Sequence, residues 1–438
     1  MDALLDSLLS DLAERPLPRL TRREIAIPNL ARKANAVVGM RRSGKTWFLF
    51  QQMQDLVDRG IGMDRILYVN FEDERLLPMR TSDLQRIPAA FFRRYPESFG
   101  KQCFFFFDEI QRVDGWESFV RRLVDEGNRS VAVTGSSGRL LSREIATQLR
   151  GRSLATEILP FSFREALDHQ GIQRPPRRPG QRGQGVLGSA VEKYLACGGF
   201  PEVQGLPEEL RLRILSGYVD VVVLRDVVER HEVANVVPLR YLIRHILSAP
   251  GRLFSVNRFH NDLRSQGIPI GKNTLHEYFD HLTDAYLFFP VHIHTRSERA
   301  RMVNPRKVYP VDPGLVSAFA RAPARDLGAL LETAVYLHLR RSGRTVEYLV
   351  TSGGREVDFL AAGPTAPPLL VQSCVSLRQA ETREREVRAL SEAMGECRTR
   401  EGTIVTLHES ETLDVDTGTI RVVPAWWWLL QTDLGRSP

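Results

Sequence analysis

Gly39-Met40-Arg41-Arg42-Ser43-Gly44-Lys45-Thr46 follows the apolar run Ala36-Val37-Val38 and leads into residues 46–58, whose apolar positions recur at helical spacing. Every fixed position of G-x-x-x-x-G-K-[ST] is present, and a strand before with a helix after is the context that gives this motif its meaning. Glycines let backbone N–H groups curl around phosphate oxygens, and the helix N-terminus adds positive potential. The Lys45 ammonium neutralises β- and γ-oxygens, and the Thr46 hydroxyl is a Mg²⁺ ligand. The stretch predicts a site for ATP and Mg²⁺ built from all eight residues.

Outward from this loop, short apolar runs alternate with helical stretches. Further strands are expected at 65–71, 103–108, 130–134 and 153–159, which argues for an α/β fold with a parallel sheet covered on both faces. Phe104-Phe105-Phe106-Phe107-Asp108-Glu109 is an apolar strand ending in two carboxylates. Downstream of a P-loop, that pattern assigns Asp108 to Mg²⁺ and Glu109 to polarising the attacking water. The next strand closes on Thr134-Gly135-Ser136-Ser137, which makes Ser136 the candidate sensor of the γ-phosphate; the plainer alternative is a strand-ending turn. Leu149-Arg150-Gly151-Arg152 ends a helix just before the fifth strand. Arg150 and Arg152 are candidates for an arginine finger reaching a neighbouring subunit, or for side chains that satisfy a helix dipole.

The bulk numbers bound the rest. At 438 residues the chain has room for two to four domains, and 42% hydrophobic residues suffice for real cores. No apolar run approaches the roughly 18–20 residues of a membrane span. Residues 1–16 read as a short amphipathic helix and not as a signal peptide. Four scattered cysteines show no metal-ligand spacing and fit a reducing cytoplasm. The net charge of +7 and the excess of arginine favour a polyanionic partner.

Residues 173–185 (QRPPRRPGQRGQG) read as a mobile loop or basic linker. From 238 to 290 three amphipathic helices are separated by glycine punctuation, and 291–311 has strand-turn-strand character. Three helices and a hairpin is the pattern of a winged helix. Beyond 327 a helix, several strands, a charged helix at 378–394 and two closing strands form a second α/β unit.

Taken together, the motifs resemble the bacterial and archaeal AAA-type ATPases that end in the domain of unknown function 4143. The resemblance spans nearly the whole chain. It rests on GMRRSGKT, YVNFEDER at 68–75, FFDEIQ, TGSS, LRGR, LPFSFRE, YLACGGFPE at 194–202, LRDVVER at 224–230, KVYPVDPG at 307–314, REVDF at 355–359 and the closing WWWLL. It implies an AAA-type ATPase core over 1–165, a helical lid with the basic linker over 166–235, a winged helix over 236–315 and a restriction-endonuclease-like domain over 316–438. Gly198-Gly199-Phe200-Pro201 would be a tightly packed lid turn. Arg225 is a lid sensor or an intrahelical partner of Glu229.

In active members of the nuclease fold a helix Glu, a strand Asp and a (D/E)-x-K motif bind Mg²⁺ and activate water. The matching positions are Glu332, Asp358 and Gln372-Ser373-Cys374. Gln372 is neutral and Cys374 replaces the lysine, so the motif itself brings no ammonium to the two carboxylates and little or no cleavage is expected; the alternative is a lysine supplied from elsewhere in the chain. Arg383, Arg385 and Arg388 either bind DNA or pair with neighbouring glutamates on a solvated face.

The expected function is an ATP-hydrolysing, oligomeric motor or clamp on DNA, of the helicase or branch-migration type, with a hexameric ring as one form of the oligomer. Arg258, Lys272, Asn273 and His276 of the winged helix would face DNA. The alternative is an ATP-controlled switch whose winged helix contacts protein; a third is an ATP-gated nuclease.

Overall fold

The structure, a computed structural model, describes residues 2–14, 16–28, 32–135, 152–320, 326–363, 367–432 and 434. Its contacts divide the chain into two units, Met1–Leu159 with Asp284–Tyr286, and Pro160–Thr283 with Leu287–Pro438.

The first unit is built on β1 (Ala34–Val38), β2 (Ile66–Asn70), β3 (Cys103–Asp108), β4 (Arg129–Thr134) and β5 (Ser153–Glu157), in the order β2-β3-β4-β1-β5. Every pairing is parallel. Parallel strands need crossovers that cover both faces, so central strands are apolar throughout. All five residues of β1 are buried, and so are the last four of β3. Helices Lys45–Asp58, Arg86–Arg94 and Trp116–Asp125 supply the cover. Phe91 meets Phe105 edge to face at 5.6 Å, and Phe107 packs on Phe119 at 5.5 Å. The N-terminal helix Asp2–Glu14 is amphipathic as expected and buries Leu5 and Leu9. Because every strand runs the same way, the residues following β1, β3 and β4 emerge along one edge of the sheet, the place where open parallel sheets bind ligands.

The second unit begins with helices Phe163–His169, Gln181–Cys197 and Glu208–Val221, the last continuing as a π-helical segment, Val222–Val228. The basic stretch expected to be loop up to residue 185 turns helical at Gln181. Two glycines there each cost about 1 kcal/mol of helix propensity, but Leu187, Val191 and Leu195 one face further on are buried, and packing outweighs the cost. Gly199 lies so close to Phe161 that a Cβ would sit 2.1 Å from its carbonyl oxygen. The Gly199 N–H donates to Asp312 Oδ2 at 2.6 Å, and the Gly314 N–H to Oδ1 at 2.8 Å. Burial pushes the Asp312 carboxyl up to about 7. Arg225 pairs with Glu229 at 2.9 Å.

Helices Val236–Leu247, Val256–Ser265 and Lys272–Asp284 follow, with an antiparallel sheet of β6 (Leu253–Phe254), β7 (Phe288–Val291) and β8 (Arg306–Pro310) in the order β6-β8-β7. Between β7 and β8 a plain charged turn was expected. The segment instead holds a short helix, Glu298–Val303, because Ser297 caps it by accepting from the Ala300 N–H.

The chain ends in a six-stranded sheet, β13-β14-β12-β11-β10-β9. Its strands are β9 (Thr345–Val350), β10 (Glu356–Ala362), β11 (Leu369–Ser373), β12 (Glu401–Thr406), β13 (Glu411–Val415) and β14 (Gly418–Pro424). Helix Leu327–Arg341 precedes the sheet, and Ala380–Cys397 joins β11 to its parallel neighbour β12. Leu349, Leu360, Leu370, Leu390, Met394 and Ile404 are among the core residues between sheet and helix. Strand β13 escaped the sequence because it is a polar edge strand with no fully buried residue. Trp426 and Trp428 are buried in the closing helix Ala425–Trp428. Among the described residues, no helix is long and apolar enough to cross a membrane.

Candidate functional site

The loop after β1 has the shape its glycines predict. Gly39 has φ of 148°, and a Cβ there would stand 2.2 Å from the Ile158 carbonyl oxygen, so no other residue fits. Lys45 is buried and its Nζ donates to the carbonyls of Gly39 and Met40 at 3.1 Å each, which holds the ammonium over the loop. Ser43 is fully buried, Gly44 caps the following helix, and Arg41 reaches Glu72 at 3.5 Å. Arg42 adopts φ of 66°. Met40 is fully buried beneath the loop.

Arg23 braces this loop from the N-terminal segment. It donates to the Ser43 carbonyl at 3.0 Å and to the Leu159 carbonyl, and its backbone exchanges hydrogen bonds with the Gln51 side chain at 2.6 and 3.0 Å. No motif marks it in the sequence.

Thr46, Asp108 and Thr134 meet at the same edge. Thr46 Oγ1 donates to Asp108 Oδ2 at 2.7 Å, the Tyr68 hydroxyl donates to the same oxygen at 3.0 Å, and Thr134 Oγ1 donates to Oδ1. The Tyr68 hydroxyl is pushed well up by burial and by the Asp108 charge, so it stays a donor. Thr46 and Asp108 offer neighbouring hard oxygens, the donor set Mg²⁺ takes alongside phosphate, so the residues fit that ion. Bound there, Mg²⁺ would neutralise phosphate charge.

Glu109 stands next to this cluster in a left-handed backbone conformation, φ 54°, a strained state for a non-glycine residue and one that recurs at functional sites. Its N–H donates to Thr134 Oγ1 at 2.9 Å. The carboxylate is buried, which raises its pKa, while Lys45 and the Gln111 amide act the other way. Gln111 Nε2 donates to Glu109 Oε2 at 2.6 Å, and the buried Gln111 Oε1 has no partner among the described residues. A buried, hydrogen-bonded carboxylate with a raised pKa is suited to accept a proton from water.

The strand-end group found against Asp108 is Thr134. The predicted sensor, Ser136, lies outside the described residues, and so does Arg150. Arg152 is described, and it pairs with Asp125. It precedes β5 at the end where its carbonyl accepts from the Ala34 N–H, opposite the P-loop edge. It is therefore not part of its own chain's nucleotide site.

Arg258, Lys272 and Asn273 are exposed and His276 is half-buried, while Leu275, Tyr278 and Phe279 of the same helix are buried. Burial and the Arg306 and Lys272 charges lower the His276 pKa. Arg383 is taken up by Glu411 at 2.6 Å and Arg385 by Glu386 at 2.5 Å.

The C-terminal carboxylates show what the sequence missed. An ammonium does stand beside Glu332 and Asp358, and it comes from β8. Lys307 Nζ lies 3.0 Å from Glu332 Oε1, 2.9 Å from Asp358 Oδ1 and 2.7 Å from Glu356 Oε1. Only 3% of its side chain is exposed. The three carboxylates raise the Lys307 pKa against the desolvation that would lower it. Tyr309 donates to Glu332 Oε1 at 2.6 Å. The Ser373 N–H and hydroxyl donate to Asp358 Oδ2 at 2.9 and 3.0 Å. Burial and the Asp358 charge push Glu332 up to about 7. Gln372 is committed elsewhere, accepting from the Asp358 N–H at 3.0 Å and donating to Glu386 at 2.7 Å. The Cys374 thiol donates to the Ser376 carbonyl and is pushed up by burial. The (D/E)-x-K spacing cannot point to this lysine, because Lys307 is 51 residues from Asp358 in the chain.

Residues 31–167 match a family described as an AAA domain, and residues 188–326 match a domain of unknown function, DUF8612, where the motifs pointed to domain 4143. An uncharacterized protein of Methanocaldococcus jannaschii is 32% identical over 439 residues, covering 98% of this chain and 94% of the relative. An uncharacterized protein of Haemophilus influenzae is 32% identical over 325 residues, covering 74% of this chain and 78% of that one. Among solved structures, the Walker-type ATPase PABY2304 of Pyrococcus abyssi is similar over 65% of this chain and 90% of its own, with 14% identity and a TM-score of 0.40. The ORC2 protein of Aeropyrum pernix is similar over 71% of this chain and 89% of its own, with 14% identity and a TM-score of 0.35.

Proposed function

Because the chain belongs to the family of its Methanocaldococcus jannaschii relative and carries an AAA-type P-loop ATPase domain, we propose that it hydrolyses Mg-ATP and uses the cycle as an oligomeric motor or clamp on DNA. The observation that carries hydrolysis is the convergence of Thr46, Asp108, Thr134 and Glu109 on one sheet edge beside the P-loop. In this scheme the P-loop amides and Lys45 hold the phosphates. Asp108 is kept in place by three hydroxyls, and Glu109 takes the proton of the attacking water while Gln111 orients its carboxylate. The buried, preset donors need little reorganisation as charge develops, which is where such sites gain most of their rate.

The DNA role has a separate basis. It is supported by the basic balance of the chain and by Arg258, Lys272 and Asn273 standing exposed on two successive helices beside a small antiparallel sheet, an arrangement of the winged-helix kind. The C-terminal order of helix, three antiparallel strands, helix and parallel strand supports a nuclease-like ancestry, and Gln372 and Cys374 in place of the (D/E)-x-K carboxylate and lysine support a domain that binds without cutting. The deciding experiment is the ATPase rate with and without single-stranded, duplex and four-way DNA at low salt. Stimulation by any form supports the DNA reading. An unmoved rate with no binding moves the protein to the ATP-controlled switch, its winged-helix module contacting protein.

A further inference from the structure

Lys307 and its carboxylate partners belong to the second unit, whereas the P-loop belongs to the first. We propose that the Lys307 ammonium is a resident cation, occupying and closing a divalent-metal site formed by Glu332, Glu356 and Asp358. Three carboxylates converge on one nitrogen at 2.7–3.0 Å, so each of the three N–H donors of the ammonium has an anionic acceptor. Two of the anions are held independently of the lysine. Tyr309 fixes Glu332, and the Ser373 N–H and hydroxyl fix Asp358. Taking the lysine away would therefore leave an oxygen-lined, preset anionic pocket, the donor chemistry of Mg²⁺, Mn²⁺ and Ca²⁺.

Mg²⁺ binds oxygen at about 2.0–2.1 Å and Ca²⁺ at about 2.3–2.6 Å, shorter than these N···O distances. An ammonium thus spaces the carboxylates wider than a metal would. Among the described residues no group of three or more His, Cys, Asp or Glu side chains is placed to hold a metal ion, and Glu332, Glu356 and Asp358 around their lysine are no exception. Lys307 belongs to β8, whereas its partners belong to helix Leu327–Arg341 and to β10, so the same ammonium fastens the small antiparallel sheet to the C-terminal domain. The inference deepens the reading of a domain that does not cut, and rests on that reading only for its consequence: the domain is silent because its cation position is filled.

The test compares full-length, nucleotide-free wild type, Lys307→Met and Lys307→Met/Asp358→Asn by Mn²⁺ titration, reading free Mn²⁺ by electron paramagnetic resonance. Lys307→Met should bind one Mn²⁺ more per chain than wild type, and the double variant should lose it. A folded Lys307→Met that gains no Mn²⁺, or a wild type that binds the same extra ion, overturns the proposal. If Lys307→Met does not fold without metal, refolding in Mn²⁺ takes the place of the titration. Recovery of the native circular dichroism supports the proposal, and no recovery overturns it. Metal binding is read without DNA, so cleavage of DNA by the wild type would defeat the non-cutting reading separately.

Discussion

Glu109 and Lys45 carry separable parts of the expected reaction. In the proposed scheme the Lys45 ammonium meets phosphate charge in the ground state, so Lys45→Ala should abolish nucleotide binding and turnover together, as read by fluorescent-nucleotide binding and phosphate release. Glu109→Gln keeps the shape but cannot accept a proton. It should bind ATP normally while kcat falls about 10²–10⁴-fold, the usual cost of losing a general base. An unchanged kcat would remove Glu109 from its role. Gln111 donates to Glu109 at 2.6 Å. Gln111→Leu should therefore lower kcat by less than Glu109→Gln and leave KM near its wild-type value. Arg23→Ala deletes charge-assisted bonds to the carbonyls of Ser43, within the P-loop, and of Leu159, beyond β5. It should cost about 1–3 kcal/mol of stability, seen in urea unfolding.

At the scale of elements, two helices and one buried imidazole give distinct signatures. If the faces of Val256–Ser265 and Lys272–Asp284 meet DNA, Arg258→Ala with Lys272→Ala should weaken binding to all sequences alike and flatten its salt dependence, because backbone contacts release counterions regardless of sequence. His338 lies inside helix Leu327–Arg341 against Trp428, with ring centroids 4.7 Å apart. Burial, with the Arg341 and Arg164 charges, pushes its pKa down from 6.5 to about 3. The folded state thus resists a proton that the unfolded chain accepts. The stability this group confers is present above pH 6.5 and is lost as pH falls from there toward 3. Denaturant melts across that window should show wild type losing stability relative to His338→Gln as the pH drops. Parallel curves would exclude the imidazole as the source.

For the whole molecule, the open matter is whether one chain completes a neighbour's site. Arg152 is bonded to Asp125 at the sheet edge away from its own P-loop, so any role for it in hydrolysis has to be in another subunit. If it or Arg150 acts in trans, ATPase activity per chain should rise with protein concentration. Mixing the Arg150→Ala/Arg152→Ala variant with Lys45→Ala should restore turnover at interfaces where an intact P-loop meets an intact finger. Full activity in a dilute monomer would end that hypothesis.

The nucleotide-binding loop, the parallel sheet and the carboxylates ending β3 were all legible in the residues. Each is local: a glycine run between an apolar strand and a helix sets its own backbone geometry, and an apolar strand needs no distant partner to declare itself. Several charged and hydroxyl groups around Asp108 and Asp358 were not legible. Thr134 reaches Asp108 across 26 residues, Tyr68 across 40, and Arg23 reaches Leu159 across 136. Lys307 gave the clearest divergence. The spacing around Gln372 and Cys374 spoke for a pair of carboxylates without a cation, while β8, from another part of the chain, carries an ammonium into their midst. Sequence patterns report what neighbours along the backbone can do. Which buried charge meets which is decided by strand pairing and packing, since an ion removed from water needs a partner wherever the fold can bring one.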